Sequence, residues 1–234
     1  MSGEFQAVDL IDVMDEAANY NQFLLNEIIR FGGDCRSIID FGAGNGRFSA
    51  ALKNLGYDVH AVEPDWRLRE RLQRDDVPAY ERLQDLGLRQ FDYVYSLNVL
   101  EHIDDDRAVL DEIYEHLRPG GKLLIYVPAF NVLYSSNDTR VGHVRRYSKH
   151  ALLSLIRAAG FDISAAAYVD SLGFLVALSF RLIGNRSGNI SARAVRVYDS
   201  ILFPVSRALD RIFGVAIGKN LLVHAVRPGP ANEP

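Results

Sequence analysis

Residues 37–48 read Ser-Ile-Ile-Asp-Phe-Gly-Ala-Gly-Asn-Gly-Arg-Phe, and this segment constrains the fold more than any other. Ile38 and Ile39 end a short apolar strand. Asp40 follows, and then Gly42, Gly44 and Gly46 alternate through a tight turn. Arg47 to Leu55 carries a helical pattern. Strand, glycine turn and helix in this order are where a parallel sheet receives a nucleotide-like ligand. Alternating glycines let the backbone turn sharply and approach a ligand, because no Cβ intervenes. The spacing discriminates between ligands. A dinucleotide fingerprint, G-x-G-x-x-G, needs its third glycine at position 47, and that position holds Arg47.

The pattern here is D-x-G-x-G-x-G, which resembles motif I of the class I S-adenosylmethionine (SAM)-dependent methyltransferases. That resemblance implies that Gly42, Ala43, Gly44 and Gly46 pass under the methionine part of SAM. It implies that Asp40 lies near the cofactor's amino group or orders the turn. A glycine-rich turn without a ligand is the alternative, so further parts of the motif are needed.

They follow in order. Tyr57, Val59, Ala61 and Val62 read as a second buried strand ending in Glu63-Pro64-Asp65. A carboxylate at the end of a second Rossmann strand accepts hydrogen bonds from ribose hydroxyls. Glu63, with Pro64, is therefore placed against the adenosine rather than read as a surface acid. Tyr93 to Leu97 is a clear strand, and Leu97-Asn98-Val99-Leu100-Glu101-His102-Ile103 resembles the same segment of the ubiquinone-pathway O-methyltransferases. By that resemblance Leu97 and Asn98 join the cofactor contacts. Asp104-Asp105-Asp106 then starts a helix with carboxylates at its positive end. Leu110, Ile113 and Leu117 form its apolar stripe, and Arg118-Pro119-Gly120-Gly121 stops it before a strand at 122–127. The resemblance covers about residues 36 to 162. Segment 77–80 reads as a weak edge strand, and Leu83, Gln84 and Asp85 fall where the class receives the adenine ring.

The expected fold is α/β: a Rossmann-like, doubly wound, mostly parallel seven-stranded sheet with an antiparallel last strand and a helical cap insertion. One domain over 1–234 accounts for the length. It carries an N-terminal helix over 5–31, a substrate loop over 128–148 and a cap over 171–217. The N-terminal helix resembles those that cover SAM in related enzymes, which makes Tyr20 a candidate cofactor contact; a packed tyrosine is the alternative. Ser148 caps a helix to about Ala159, and a sixth strand runs to about Asp170. Residues 220–226 form the last strand. Pro204 is expected to kink or divide a helix over 191–213.

A net charge of −4 argues against a general nucleic-acid binder. The single cysteine, Cys35, allows neither a disulfide framework nor a cysteine metal cluster within the chain. No signal-peptide pattern opens the sequence, and a cytoplasmic setting is expected. The apolar stretch 172–180 is well short of the ~20 residues needed to span a bilayer.

SAM carries an activated methyl group, so the protein must align an acceptor and remove its proton where the acceptor is a hydroxyl. His102, after the fourth core strand, and His143, in the long loop, are the candidate bases. A lone histidine is more often structural. Arg145 and Arg146 with Tyr147 suit an anionic group on the substrate, against salt bridges that dock the loop. No metal site is expected, since Glu101, His102 and the Asp104–Asp106 run read as a helix start. The cap mixes apolar residues with Arg181, Arg186, Arg193, Arg196, Arg207 and Arg211. That mixture suits a lipid-linked acceptor or peripheral contact with the inner face of a membrane. It equally suits a homodimer interface or packing on the cap's own domain.

The reading that follows is SAM-dependent methyl transfer, at oxygen, to a small-molecule or lipid-linked acceptor, leaving S-adenosylhomocysteine. Nucleic-acid or protein methylation and a non-catalytic SAM-binding regulator are the alternatives. The Asp- or Asn-Pro-Pro-aromatic segment of amino-methylating nucleic-acid enzymes is replaced by Leu97-Asn98-Val99-Leu100, which counts against the first.

Overall fold

The protein is described from a computed structural model that covers residues 14–183, 192–213 and 216–229. The expected sheet is present. Seven strands lie in the order β3-β2-β1-β4-β5-β7-β6. They are β1 Ser37–Phe41, β2 Asp58–Val62, β3 Ala79–Tyr80, β4 Phe91–Leu97, β5 Leu117–Pro128, β6 Asp162–Val169 and β7 Asn220–Val226. The pairs β1–β2, β1–β4, β2–β3 and β4–β5 are parallel, while β7 runs antiparallel to both β5 and β6.

Both faces of this sheet are covered, and the strand sequences show why. Successive side chains point to opposite faces. Ile39, Leu123 and Ile125 pack in one cluster with Leu110, Ile113, Leu152 and Ile156. Ile38, Leu124 and Tyr126 pack in the other with Leu24, Ile28 and Leu52. The helices that supply these contacts are α1 Ala18–Gly32, α2 Arg47–Asn54, α4 Asp106–His116 and α6 Lys149–Ala158, with α3 Trp66–Arg74 near the β3 edge. Helix starts follow local chemistry. Asp65, Asp105 and Ser148 each cap a helix by accepting a backbone N–H.

Three local features differ from the sequence reading. First, β5 begins at Leu117 instead of after Gly121. The N–H of Gly120 donates to the carbonyl of Arg227, and the N–H of Arg227 to that of Gly121, both at 2.8 Å. A distant segment thus extends the strand through a Pro-Gly-Gly stop. Second, the first described helix is Ala18–Gly32, and the part of the expected N-terminal helix before residue 14 lies outside the described residues. Third, the division expected at Pro204 takes the form of a π-turn just ahead of it, with no break in the helical run. Helix α8 Ala192–Val197 runs through a π-turn, Tyr198–Leu202, into α9 Phe203–Phe213. A wider turn just upstream accommodates the N–H that proline lacks.

Between β6 and β7 lie α7 Ser171–Ile183, α8 and α9. Between β5 and α6 lies the long loop, which contains a 3₁₀ turn at Asn131–Leu133 and helix α5 Ser136–Val141. Its ends are tied together. Phe130 donates to the carbonyl of Tyr147 at 2.9 Å, and Tyr147 to that of Pro128 at 3.0 Å.

Candidate active site

The sheet order reverses between β1 and β4, and the carboxyl ends of these two strands mark the ligand crevice of an open α/β sheet. The backbone is unusual along this edge. Gly42, Gly44 and Gly46 after β1 all have positive φ. Three of the four non-glycine residues with positive φ among the described residues also follow core strands: Asn98 after β4, Phe130 after β5 and Asp170 after β6. Such conformations persist only where surrounding contacts enforce them, and they gather at functional sites.

The glycine turn is specific. Gly42 has φ 79°, and a Cβ there would lie 2.2 Å from Cγ2 of Val99. Gly46, at φ 81°, would place one 2.7 Å from Cδ2 of Leu72. Glu63, at the end of β2, faces this turn. One carboxylate oxygen accepts the Gly44 N–H at 2.8 Å and the other accepts the Asp65 N–H at 3.0 Å. Burial raises the pKa of Glu63, and these two hydrogen bonds partly offset the rise. Asp40 is buried in β1 and accepts the Ser49 hydroxyl of α2 at 2.6 Å. It ties the strand to the helix across the turn. Burial pushes its carboxyl up to about 6, against the Ser49 bond. Pro64 follows Glu63, and its carbonyl accepts from Arg69. Ala43 is buried within the turn.

Leu97 and Asn98 end β4 beside this cradle. The Asn98 N–H donates to the Tyr126 carbonyl at 2.7 Å, which holds its left-handed conformation. Tyr20 lies edge-on to Tyr126 and Phe203, and burial pushes its hydroxyl up to about 12. Leu83 is in the core, and Gln84 bonds Glu112. Asp85 caps its own turn by accepting the Arg82 N–H.

Two contacts with no sequence signal close this side. Asp15 accepts from Asn45 at 2.9 Å and pairs with Arg47 at 2.7 Å, so the N-terminal segment is latched over the glycine turn. Arg47, which occupies the place of a dinucleotide fingerprint's third glycine, thus serves a different purpose. Asp199, from the π-turn of the cap, accepts the N–H groups of Asn19 and Tyr20, each at 2.8 Å. Helix α1 has no side-chain cap of its own, and Asp199 satisfies its orphan donors from 180 residues away.

The long loop packs over the exit of β4 on the same sheet edge. His102 and His143 come together with ring centroids 4.8 Å apart. Nδ1 of His143 lies 2.8 Å from Oδ1 of Asp138. Asp138 is buried. It also accepts from Arg146 Nε at 2.7 Å and from the Ser135 N–H at 2.8 Å, which closes the capping box of α5. Burial alone would raise its pKa, but the bonds from His143 and Arg146 hold it well below the usual carboxylate range. Burial, together with the charge of His143, lowers the pKa of His102. Glu101 is wholly buried, and burial pushes its carboxyl up to about 8.

Arg145 and Arg146 both meet internal carboxylates. Arg145 donates to Asp106 at 2.6 Å and to the carbonyl of Asp104 at 2.8 Å. Arg146 holds Asp138, and the Tyr147 hydroxyl is buried against Asp106 and the Leu100 carbonyl. These three residues pin the loop to the exit of β4. Asp138 and Asp106 were not legible as partners, because nothing in the spacing of a long loop tells which carboxylate an arginine will find.

The cap is anchored in the same way. The carboxylate of Asp170 accepts from Tyr198 at 2.5 Å, Ser206 at 2.8 Å and the Gly173 N–H at 3.0 Å. Phe130, at the mouth of the loop, stacks on Tyr168 and meets Phe174 of α7 edge-on.

Comparison with known proteins agrees with this geometry. A family model described as a methyltransferase domain matches residues 14–166. A probable S-adenosylmethionine-dependent methyltransferase of Mycolicibacterium smegmatis is 27% identical over 146 residues, 59% of this chain and 54% of that protein. The ubiquinone biosynthesis O-methyltransferase of Psychrobacter arcticus is 28% identical over 99 residues, 37% of this chain and 38% of its own. The chain thus spans about half the length of the first relative and less of the second. A SAM-dependent methyltransferase from Thermotoga maritima superposes with a TM-score of 0.62 at 19% identity, covering 94% of both chains. The Haemonchus contortus phosphoethanolamine N-methyltransferase 2, in complex with S-adenosylhomocysteine, gives 0.60 at 21% identity, covering 89% of this chain and 53% of that one. The glycine turn with its facing carboxylate, the sheet order and the matched domain together make this chain a member of the class I SAM-dependent methyltransferase family.

Proposed function

We propose that this protein transfers a methyl group from SAM to the hydroxyl of a small-molecule or lipid-linked acceptor. The observation that carries the reading is a juxtaposition on one sheet edge: the cradle of Gly42, Gly44, Gly46 and Glu63 beside a histidine whose Nδ1 is held by a buried carboxylate. SAM supplies a methyl group on a positively charged sulfur, ready for in-line displacement. The chain's residues do the rest. Gly42 to Gly46 admit the methionine part, with Asp40 fixing the turn from below. Glu63 takes the ribose hydroxyls, and Pro64, Leu97, Asn98 and Tyr20 line the remaining surface. Asp138 orients His143 through Nδ1 and turns its Nε2 to the buried Glu101 carboxyl, 3.7 Å away, with His102 beside it. His143, or His102 beside it, accepts the hydroxyl proton as oxygen attacks the methyl carbon and the C–S electron pair returns to sulfur. Arg145, Arg146 and Tyr147 act by holding the loop that carries His143.

A lipid-linked acceptor is supported by the outer face of the cap. Val197, Ile201, Val205 and Ile212 are exposed there, together with Arg193, Arg196 and Arg211. The two described carboxylates of 192–213, Asp199 and Asp210, turn inward to backbone N–H groups. Such a face suits an anionic lipid surface. Among the described residues no helix is long and apolar enough to cross a membrane.

The test is transfer of a radiolabelled methyl group from SAM into an extract that includes membranes, followed by phase partition. Enzyme-dependent label in the organic phase supports the lipid-linked acceptor. Label confined to the aqueous phase restricts the acceptor to a soluble molecule. Absence of enzyme-dependent label overturns the reading.

A further inference from the structure

We propose that Glu101, His102 and His143 bind one divalent transition-metal ion at the acceptor edge. Each residue offers one ligand atom, and the three atoms lie within 4.8 Å of one another. Bonds of about 2.1 Å to a shared ion place neighbouring ligand atoms roughly 3 to 4 Å apart. Nε2 of His143 and Oε1 of Glu101 already stand at 3.7 Å. The ligand atom of His102 lies within 4.8 Å of both.

The site is argued from unmet chemistry more than from proximity. Glu101 is wholly buried, and neither carboxylate oxygen has a hydrogen-bond donor. A buried carboxylate left this way is costly unless a cation faces it. The group it faces is His143, whose Nδ1 is engaged by Asp138 at 2.8 Å. With the proton on Nδ1, a lone pair on Nε2 points toward the oxygens of Glu101. Where Glu101 is ionised, acceptor atoms from two elements converge with no donor between them, which is an arrangement a metal ion resolves. The Asp138–His143 contact is also the outer carboxylate–histidine pair that orients metal-bound imidazoles elsewhere. His102 is exposed to solvent, so an ion has an entry path and open positions remain. Two imidazoles and one carboxylate favour a first-row transition ion over calcium or magnesium.

This inference rests on the methyl-transfer reading for its purpose. An ion held by these three residues would supply Lewis-acid chemistry that lowers the pKa of an acceptor hydroxyl. In the metal-loaded protein the released proton would pass to solvent and the histidines would be ligands; in the metal-free protein they keep the base role of that reading.

The full chain is first stripped with chelator and then titrated with Co2+ alone, followed by visible absorption, and with Zn2+ by calorimetry. One ion per chain with Co2+ d–d bands is expected. H102Q and H143Q should each weaken binding at least tenfold, and D138N by roughly 10–100-fold through loss of the orienting bond. Because His102 is exposed, H102Q keeps the test valid should a buried variant fail to fold. Wild-type protein without saturable Co2+ or Zn2+ binding overturns the site, with Glu101 then carrying a proton. Binding that survives H102Q and H143Q undiminished overturns it as well. Calorimetric titration with SAM on the same samples separates the two readings. SAM bound without metal removes the site and leaves the methyl-transfer reading standing. Metal bound without SAM does the reverse.

Discussion

Nδ1 of His143 and Oδ1 of Asp138 lie 2.8 Å apart inside a loop that the sequence shows only as an irregular stretch. The contact fixes which histidine nitrogen is turned toward Glu101, and the same carboxylate holds Arg146 and caps α5. D138N is expected to lower methyl-transfer kcat by at least tenfold while leaving the calorimetric Kd for SAM unchanged. A loss of SAM affinity equal to the loss of rate would show that Asp138 acts through the whole fold.

Asp138 also sets an acid limit. Its folded pKa is depressed, so its contribution to stability is present above the unfolded carboxylate value and is lost as pH falls through the folded one. Wild-type protein should therefore lose more stability than D138N between pH 4 and pH 2. Denaturant titration at each pH measures the difference.

The opposite sign holds at Asp40. Burial pushes its folded pKa up to about 6, above the unfolded value, so stability is greatest below pH 4 and falls as pH rises through 6. A shift of this size corresponds to about 3 kcal/mol. D40N keeps an acceptor for Ser49 without the charge. It should be more stable than wild type at pH 8 by up to that amount, and the advantage should vanish at pH 4.

Gly42→Ala tests the glycine turn. The new methyl would sit at φ 79° and 2.2 Å from Val99. Left-handed strain of ~1–2 kcal/mol and overpacking of ~1–3 kcal/mol predict a loss of about 2–5 kcal/mol. Adding Val99→Ala should recover the packing part and leave the strain. Thermal unfolding of both variants decides this.

Glu63→Gln probes the cofactor cradle. Loss of charge-assisted hydrogen bonding of ~1.5–3 kcal/mol predicts roughly 10–150-fold weaker SAM binding by calorimetry. An unchanged Kd would remove Glu63 from the site.

On the cap, I201S and I212S change exposed positions, so stability should move by less than about 0.5 kcal/mol. Label in the organic phase should fall several-fold while turnover of a soluble acceptor is unaffected. Equal loss on both would show that the face serves packing and not a lipid surface.

The sequence by itself determined the layered fold and the glycine turn with its facing carboxylate. These depend on local periodicity and on glycines that are required where the backbone turns left-handed, so Ile38-Ile39, the Gly42–Gly46 turn and Glu63 could be read within a few dozen residues. Ser148 and the Asp104–Asp106 run marked helix starts for the same reason. Tertiary structure alone decided how the long loop, the cap and the N-terminal helix are held. There the partners are far apart in the chain: Asp199 caps α1, Asp15 meets Arg47, and Asp138 and Asp106 take up the two arginines. A buried carboxylate has no periodicity, and its partner is chosen by which backbone and side-chain donors the folded chain leaves unsatisfied. In sequence Glu101 reads first as a helix-start residue, with the orienting of a histidine as the alternative. Only the closing of residues 129–147 over the exit of β4 turns it into a buried acid facing two histidines.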